Sequence, residues 1–139
     1  MFVVTNRRLI TNKTGLEQFG NKPNPEGPNE LRIVEVAREN SGWKVEILPD
    51  RLDEKRKRAV GLPVSKPAVA SQYAARIILK RVQQDKRNVL FFVHGYNNNM
   101  GAVLERAQGL ADTFNLEVIP FSWPADGGGI RGTLSYLSD

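Results

Sequence analysis

One stretch concentrates residue types that can do chemistry. His94-Gly95-Tyr96-Asn97-Asn98 follows the apolar run Val89-Leu90-Phe91-Phe92-Val93 and precedes a helical pattern. His94 is the sole histidine of the 139 residues, so one chain cannot build a multi-histidine metal site. The absence of cysteine removes thiolate zinc sites, disulfide frameworks and cysteine nucleophiles together, and no metal or cofactor is expected. The alternative for the same loop is a tight strand-to-helix turn that binds nothing. Ser122 falls in a strand pattern with no base at hand and reads as structural. Gly127-Gly128-Gly129-Ile130-Arg131-Gly132 satisfies G-x-G-x-x-G, but that motif must open a helix and meet an acidic residue about 20 positions later. Seven residues follow Gly132 in the 139-residue chain, so a glycine-rich loop is the expectation there.

Several elements must position these groups. Phe2-Val3-Val4 opens the chain as a short apolar run. After a Gly-, Pro- and Asn-rich stretch, Leu31-Arg32-Ile33-Val34-Glu35-Val36 and Trp43-Lys44-Val45-Glu46-Ile47 alternate around Asn40-Ser41-Gly42, which predicts a β-hairpin over residues 31–48. Ala70, Tyr73, Ala74, Ile77, Ile78 and Val82 then recur at helical spacing, with Ser65 as the expected cap, Pro67 in the first turn, and Lys80, Arg81, Lys86 and Arg87 near the negative end of the dipole. The run 89–93 lacks polar alternation and predicts a strand covered on both faces. Asn residues of the following loop can cap a helix lined by Val103, Ala107, Leu110, Ala111 and Phe114, and Leu116 to Trp123 returns to strand. Residues 89–123 thus read as a βαβ unit with parallel strands, and the class is α/β.

The strand, loop and helix together resemble the α/β-hydrolase superfamily, whose third strand ends in a His-Gly loop. Val-Leu-Phe-Phe-Val-His-Gly-Tyr-Asn-Asn, a helix, and Ile119-Pro120-Phe121-Ser122-Trp123-Pro124 are similar to a bacterial subgroup, the DUF900 type. Phe2-Val3-Val4-Thr5-Asn6-Arg7-Arg8, Phe19-Gly20 and Gly27-Pro28-Asn29-Glu30-Leu31-Arg32 look like the N-terminal portion of that subgroup. The resemblance implies serine hydrolysis of an ester or amide, with a small acyl substrate. It implies that Gly95, Tyr96 and Asn97 form oxyanion-hole backbone, with Tyr96 and then Asn97 as N–H donors. Gly95, having no Cβ, lets the turn approach the substrate. His94 precedes the nucleophile in chain order, whereas the family's catalytic His comes last, so it is expected to be a structural imidazole that hydrogen-bonds the loop.

The nucleophile elbow Gly-x-Ser-x-Gly is missing from the sequence; Gly132-Thr133-Leu134-Ser135-Tyr136 imitates its first half without the closing glycine. The expectation is a single, incomplete, N-terminal α/β-hydrolase-like domain: strands and loops over 1–64, then a helix plus the βαβ unit over 65–139, inactive alone. Strand 89–93 would then lie at a sheet edge, open to a second copy, a second polypeptide or a rearranged local topology. Such an edge also supports a competing reading, a nonenzymatic interaction module.

Composition bounds these readings. A chain of 139 residues with 40% hydrophobic and 25% charged residues is ordinary globular material, and about two thirds of its unfolded surface should be buried. No apolar stretch approaches the roughly 18 residues needed to span a bilayer, and no export signal is seen, so the expected location is cytoplasmic. The net charge of +5 peaks at Lys55-Arg56-Lys57-Arg58, but no aromatic residues interleave for base stacking, which makes nucleic acid an unlikely partner and a solvated segment the plainer reading.

Overall fold

The computed structural model describes residues 1–27 and 29–125; the two glycine motifs after Asp126 lie outside the described residues. Strands β1 (Phe2–Thr5), β4 (Arg32–Glu39), β5 (Gly42–Ile47), β6 (Asn88–Val93) and β7 (Leu116–Ser122) form one mixed sheet in the order β5-β4-β1-β7-β6. Strands β2 (Arg7–Leu9) and β3 (Phe19–Pro23) pair separately, joined through a 3-10 turn at Gly15–Gln18. Three helices complete the chain: α1 (Glu54–Ala59), α2 (Ala70–Asp85) and α3 (Met100–Phe114).

The expected hairpin forms as β4 and β5, antiparallel, with Val34 opposite Ile47 and Val36 opposite Val45. The opening run Phe2-Val3-Val4 occupies the centre of the sheet as β1, antiparallel to β4 and parallel to β7. Successive strand residues point to opposite faces, and Phe2 and Val3 show the result. Phe2 packs with Leu48, Ala70, Ala74 and the flank of α2, whereas Val3 packs with Val34, Val36, Met100 and Leu104 under α3. Helices therefore cover both faces, and β6-α3-β7 is a parallel βαβ unit. This is the predicted α/β class, with parallel strands at one side of the sheet and an antiparallel hairpin at the other.

Three expectations need correction. Strand β6 is not covered on both faces: Val89, Phe91 and Val93 are 50%, 57% and 55% exposed, because α2 lies over the Phe2 and Ile33 part of the sheet and not over β6. Helix α2 begins at Ala70 and not near Ser65. Residues 68–69 are drawn into extended structure by Leu52, whose N–H donates to the Ala68 carbonyl at 2.9 Å, and by a bridge between Arg51 and Val69. Pro67 also disfavours helix at the residue before it. The helix start is instead served by the Gln72 side chain, which accepts from the Val69 N–H at 3.0 Å. Finally, the buried stripe of α3 is Met100, Val103, Leu104 and Ala107, and Phe114 is 63% exposed at its end.

Candidate functional site at the strand ends

β1, β7 and β6 are mutually parallel, so their carboxyl ends fall on one edge of the sheet, where open α/β sheets place ligands. Thr5, Ser122 and the His94–Asn98 loop meet there. His94 is 3% exposed and stacks on Trp123 with ring centroids 5.5 Å apart and planes at 12°. The Trp123 backbone N–H donates to His94 Nε2 at 3.2 Å, and Trp123 Nε1–H donates to the His94 carbonyl at 3.0 Å. A backbone N–H can only donate, so Nε2 is the bare nitrogen and the proton sits on Nδ1, which donates to the Gly95 carbonyl at 2.7 Å. Both ring nitrogens are thereby committed to main-chain groups.

The loop carbonyls share a pattern. The Gly95 carbonyl also receives Asn98 Nδ2 at 3.0 Å, the Tyr96 carbonyl receives the same amide at 3.0 Å, and the Asn98 carbonyl receives Arg7 Nη2. In a planar trans peptide the N–H points opposite to the C=O. Turning the His94 and Gly95 carbonyls toward these side-chain donors therefore turns the N–H groups of Gly95 and Tyr96 the other way. Asn97, in a left-handed conformation with φ of 61°, behaves differently: its N–H donates to the Ala125 carbonyl at 2.7 Å. Of the three backbone positions expected as an oxyanion hole, Asn97 thus has its N–H bonded to the Ala125 carbonyl, while the peptide planes of Gly95 and Tyr96 are set by the side-chain donors on the carbonyls before them. Gly95 does not have φ in the left-handed region, and a methyl group built on it meets no atom within 4 Å.

Ser122 is fully buried, accepts Arg7 Nε at 2.9 Å through its hydroxyl, and accepts Thr5 Oγ1 at 2.6 Å through its carbonyl. A guanidinium has no lone pair to take a proton, so this contact cannot activate the serine. Arg7 has no role that the sequence signals, and Asn98 has only that of a candidate helix cap. Arg7 lies in the N-terminal segment Phe2-Val3-Val4-Thr5-Asn6-Arg7-Arg8, but nothing in the residue order signals that its side chain reaches position 122. Asn98 was read as a helix-capping candidate, and the cap of α3 is Asn99, whose Oδ1 accepts the Ala102 N–H at 2.9 Å.

Three of the four cations of the basic run are held locally. Arg56 pairs with Asp53 and Glu46, Arg58 with Glu54, and Lys57, 8% exposed, donates to the Val64 carbonyl at 2.7 Å. A groove of about 600 Å³ between α1 and α2 is lined by Tyr73, Arg76, Ile77 and Lys80 among others, with no serine, histidine or carboxylate. Among the described residues no three His, Asp or Glu side chains converge as a metal ion would need, and no helix is long and apolar enough to cross a membrane.

A mixed sheet with parallel strands, helices on both faces and a His-Gly loop at a strand end has α/β character consistent with part of an α/β-hydrolase fold. The family model described as alpha/beta hydrolase of unknown function (DUF900) matches residues 70–139, from the start of α2 onward. The chain belongs to this DUF900 family. No curated protein and no solved structure matches it.

Proposed function

We propose that this chain carries the oxyanion-binding part of a serine hydrolase acting on a small ester or amide. The observation that carries the reading is the orientation of the 94–98 loop. Its carbonyls are tied to the His94, Asn98, Trp123 and Arg7 donors, so the Gly95 and Tyr96 N–H groups face away from them beside a glycine whose missing Cβ neither packing nor backbone conformation explains. As a carbonyl carbon becomes tetrahedral its oxygen gains negative charge, and a preorganised N–H aimed there contributes about 3 kcal/mol to the barrier. His94 holds the loop rather than moving protons, because both its nitrogens bond main chain. The reaction also needs a nucleophile, an acid and a base. With Ser122 held against Arg7 and no Gly-x-Ser-x-Gly in the sequence, these come from outside the 139 residues.

A fluorophosphonate probe tests this. The 139-residue chain is expected to stay unlabelled, and a chain extended by a segment bearing Gly-x-Ser-x-Gly is expected to be labelled at that serine. Labelling of Ser122, or an extended chain that folds and remains inert, overturns the reading.

A second reading rests on its own observation. Val89, Phe91 and Val93 form an exposed apolar row on the outermost strand, which suits a nonenzymatic module that pairs this edge with another chain. The nucleic-acid alternative has no comparable support, since Arg56, Lys57 and Arg58 of α1 are held by neighbouring acids and carbonyls.

A further inference from the structure

We infer that Arg7 is the positioning residue of the 94–98 loop, setting the direction in which the Gly95 and Tyr96 N–H groups point; the inference rests on the oxyanion reading of that loop. Arg7 is fully buried, and each of its three guanidinium nitrogens has a partner in a different part of the chain. Nε donates to Ser122 Oγ at 2.9 Å, Nη1 to the Gly20 carbonyl at 3.1 Å, and Nη2 to the Asn98 carbonyl. The end of β7, the start of β3 and the loop after β6 are thereby fixed to one rigid plane.

The connection runs on from Asn98. Its main-chain carbonyl is held by Arg7, and its side-chain amide holds the carbonyls of Gly95 and Tyr96, so the orientation of two peptide planes depends on where Arg7 anchors the third. Thr5 braces the anchor from behind: its hydroxyl donates to the Ser122 carbonyl at 2.6 Å and accepts the Arg7 N–H at 3.1 Å. Arg7 lies outside the matched residues 70–139, so the N-terminal segment completes a loop that belongs to the family-defining part. A lysine at this position keeps the charge but cannot reproduce a planar fork with three separate acceptors, which separates geometry from electrostatics.

The test is amide hydrogen exchange on the 139-residue chain with Arg7→Lys, combined with an NMR titration of backbone amides by phenylphosphonate. The expected result is unchanged protection in β1, β4 and β7, exchange about tenfold faster at residues 95–98, and weaker phosphonate-induced shifts at Gly95 and Tyr96. If Arg7→Lys does not fold, Ser122→Ala removes the Nε acceptor alone and is expected to accelerate the same loop amides to a smaller degree. A folded variant whose loop exchanges like the wild type overturns the role of Arg7. Loop loosening in a protein whose wild type ignores phosphonate supports Arg7 as the anchor and removes the oxyanion reading. An equal, saturable phosphonate response in wild type and Arg7→Lys, with equal loop exchange, supports the oxyanion reading and removes Arg7 as the anchor.

Discussion

At Gly95 the side chain is absent for no reason that the surrounding described residues supply. Its φ is not left-handed and an added methyl would touch nothing within 4 Å. Gly95→Ala is therefore expected to leave the fold intact and to gain about 0.4–1 kcal/mol of stability by restricting the unfolded chain, read from denaturant midpoints. If the loop binds a developing oxyanion as proposed, the same substitution crowds the approaching substrate, and fluorophosphonate labelling of an extended chain is expected to slow by about tenfold or more. A loss of stability without a loss of labelling would place the glycine in folding instead. The loop itself was legible in sequence, because a sole histidine, a glycine and three asparagines after an apolar run can be seen without coordinates. Arg7 was not, because an arginine at the seventh position of a chain is normally solvent-exposed, and its burial depends on acceptors at positions 20, 98 and 122.

Between elements, the helix starts show how far local signals reach. Asn99 caps α3 through a hydrogen bond of 2.9 Å to the Ala102 N–H, and Asn99→Ala is expected to cost about 1 kcal/mol of stability, measured by urea unfolding. That cap could be read locally. The start of α2 could not, because Ala68 and Val69 are held extended by Leu52 and Arg51, partners remote from any capping pattern. The join between hairpin and α3 makes a pH prediction. Glu105 accepts from Trp43 Nε1–H at 2.8 Å and pairs with Arg38, and the Trp43 hydrogen bond first, then the Arg38 one, holds its carboxyl below the usual carboxylate range. A depressed folded value stabilises the protein above the unfolded carboxylate range, and that contribution is lost as pH falls through the folded value. Glu105→Gln should accordingly flatten the acid limb of a plot of denaturant midpoint against pH while leaving its neutral plateau nearly parallel; an unaltered acid limb would show the pair to be inert.

Among the described residues the sheet has two outermost strands of different character, β5 and β6. Its β5 side ends in a strand carrying Lys44 and Glu46, whereas its β6 side ends in an uncharged strand, Asn88–Val93, with three exposed apolar side chains. Such an edge predicts self-association, and light scattering should give a mass above the monomer that falls toward it in Phe91→Glu; a wild-type monomer stable at high concentration would refute the prediction. Motif order in the sequence was enough to place β6 at the margin, but the apolar run suggested two covered faces, since burial by distant helices leaves no mark on the run itself. In the function proposed above, the loop at the end of β6 offers the Gly95 and Tyr96 N–H groups to a developing anion. Titrating the chain with phenylphosphonate while following each backbone amide by NMR tests it most directly. The predicted result is saturable movement of the Gly95 and Tyr96 amides with Asn97, bonded to the Ala125 carbonyl, left in place; no movement at 95 and 96, or movement at Asn97 alone, would contradict it.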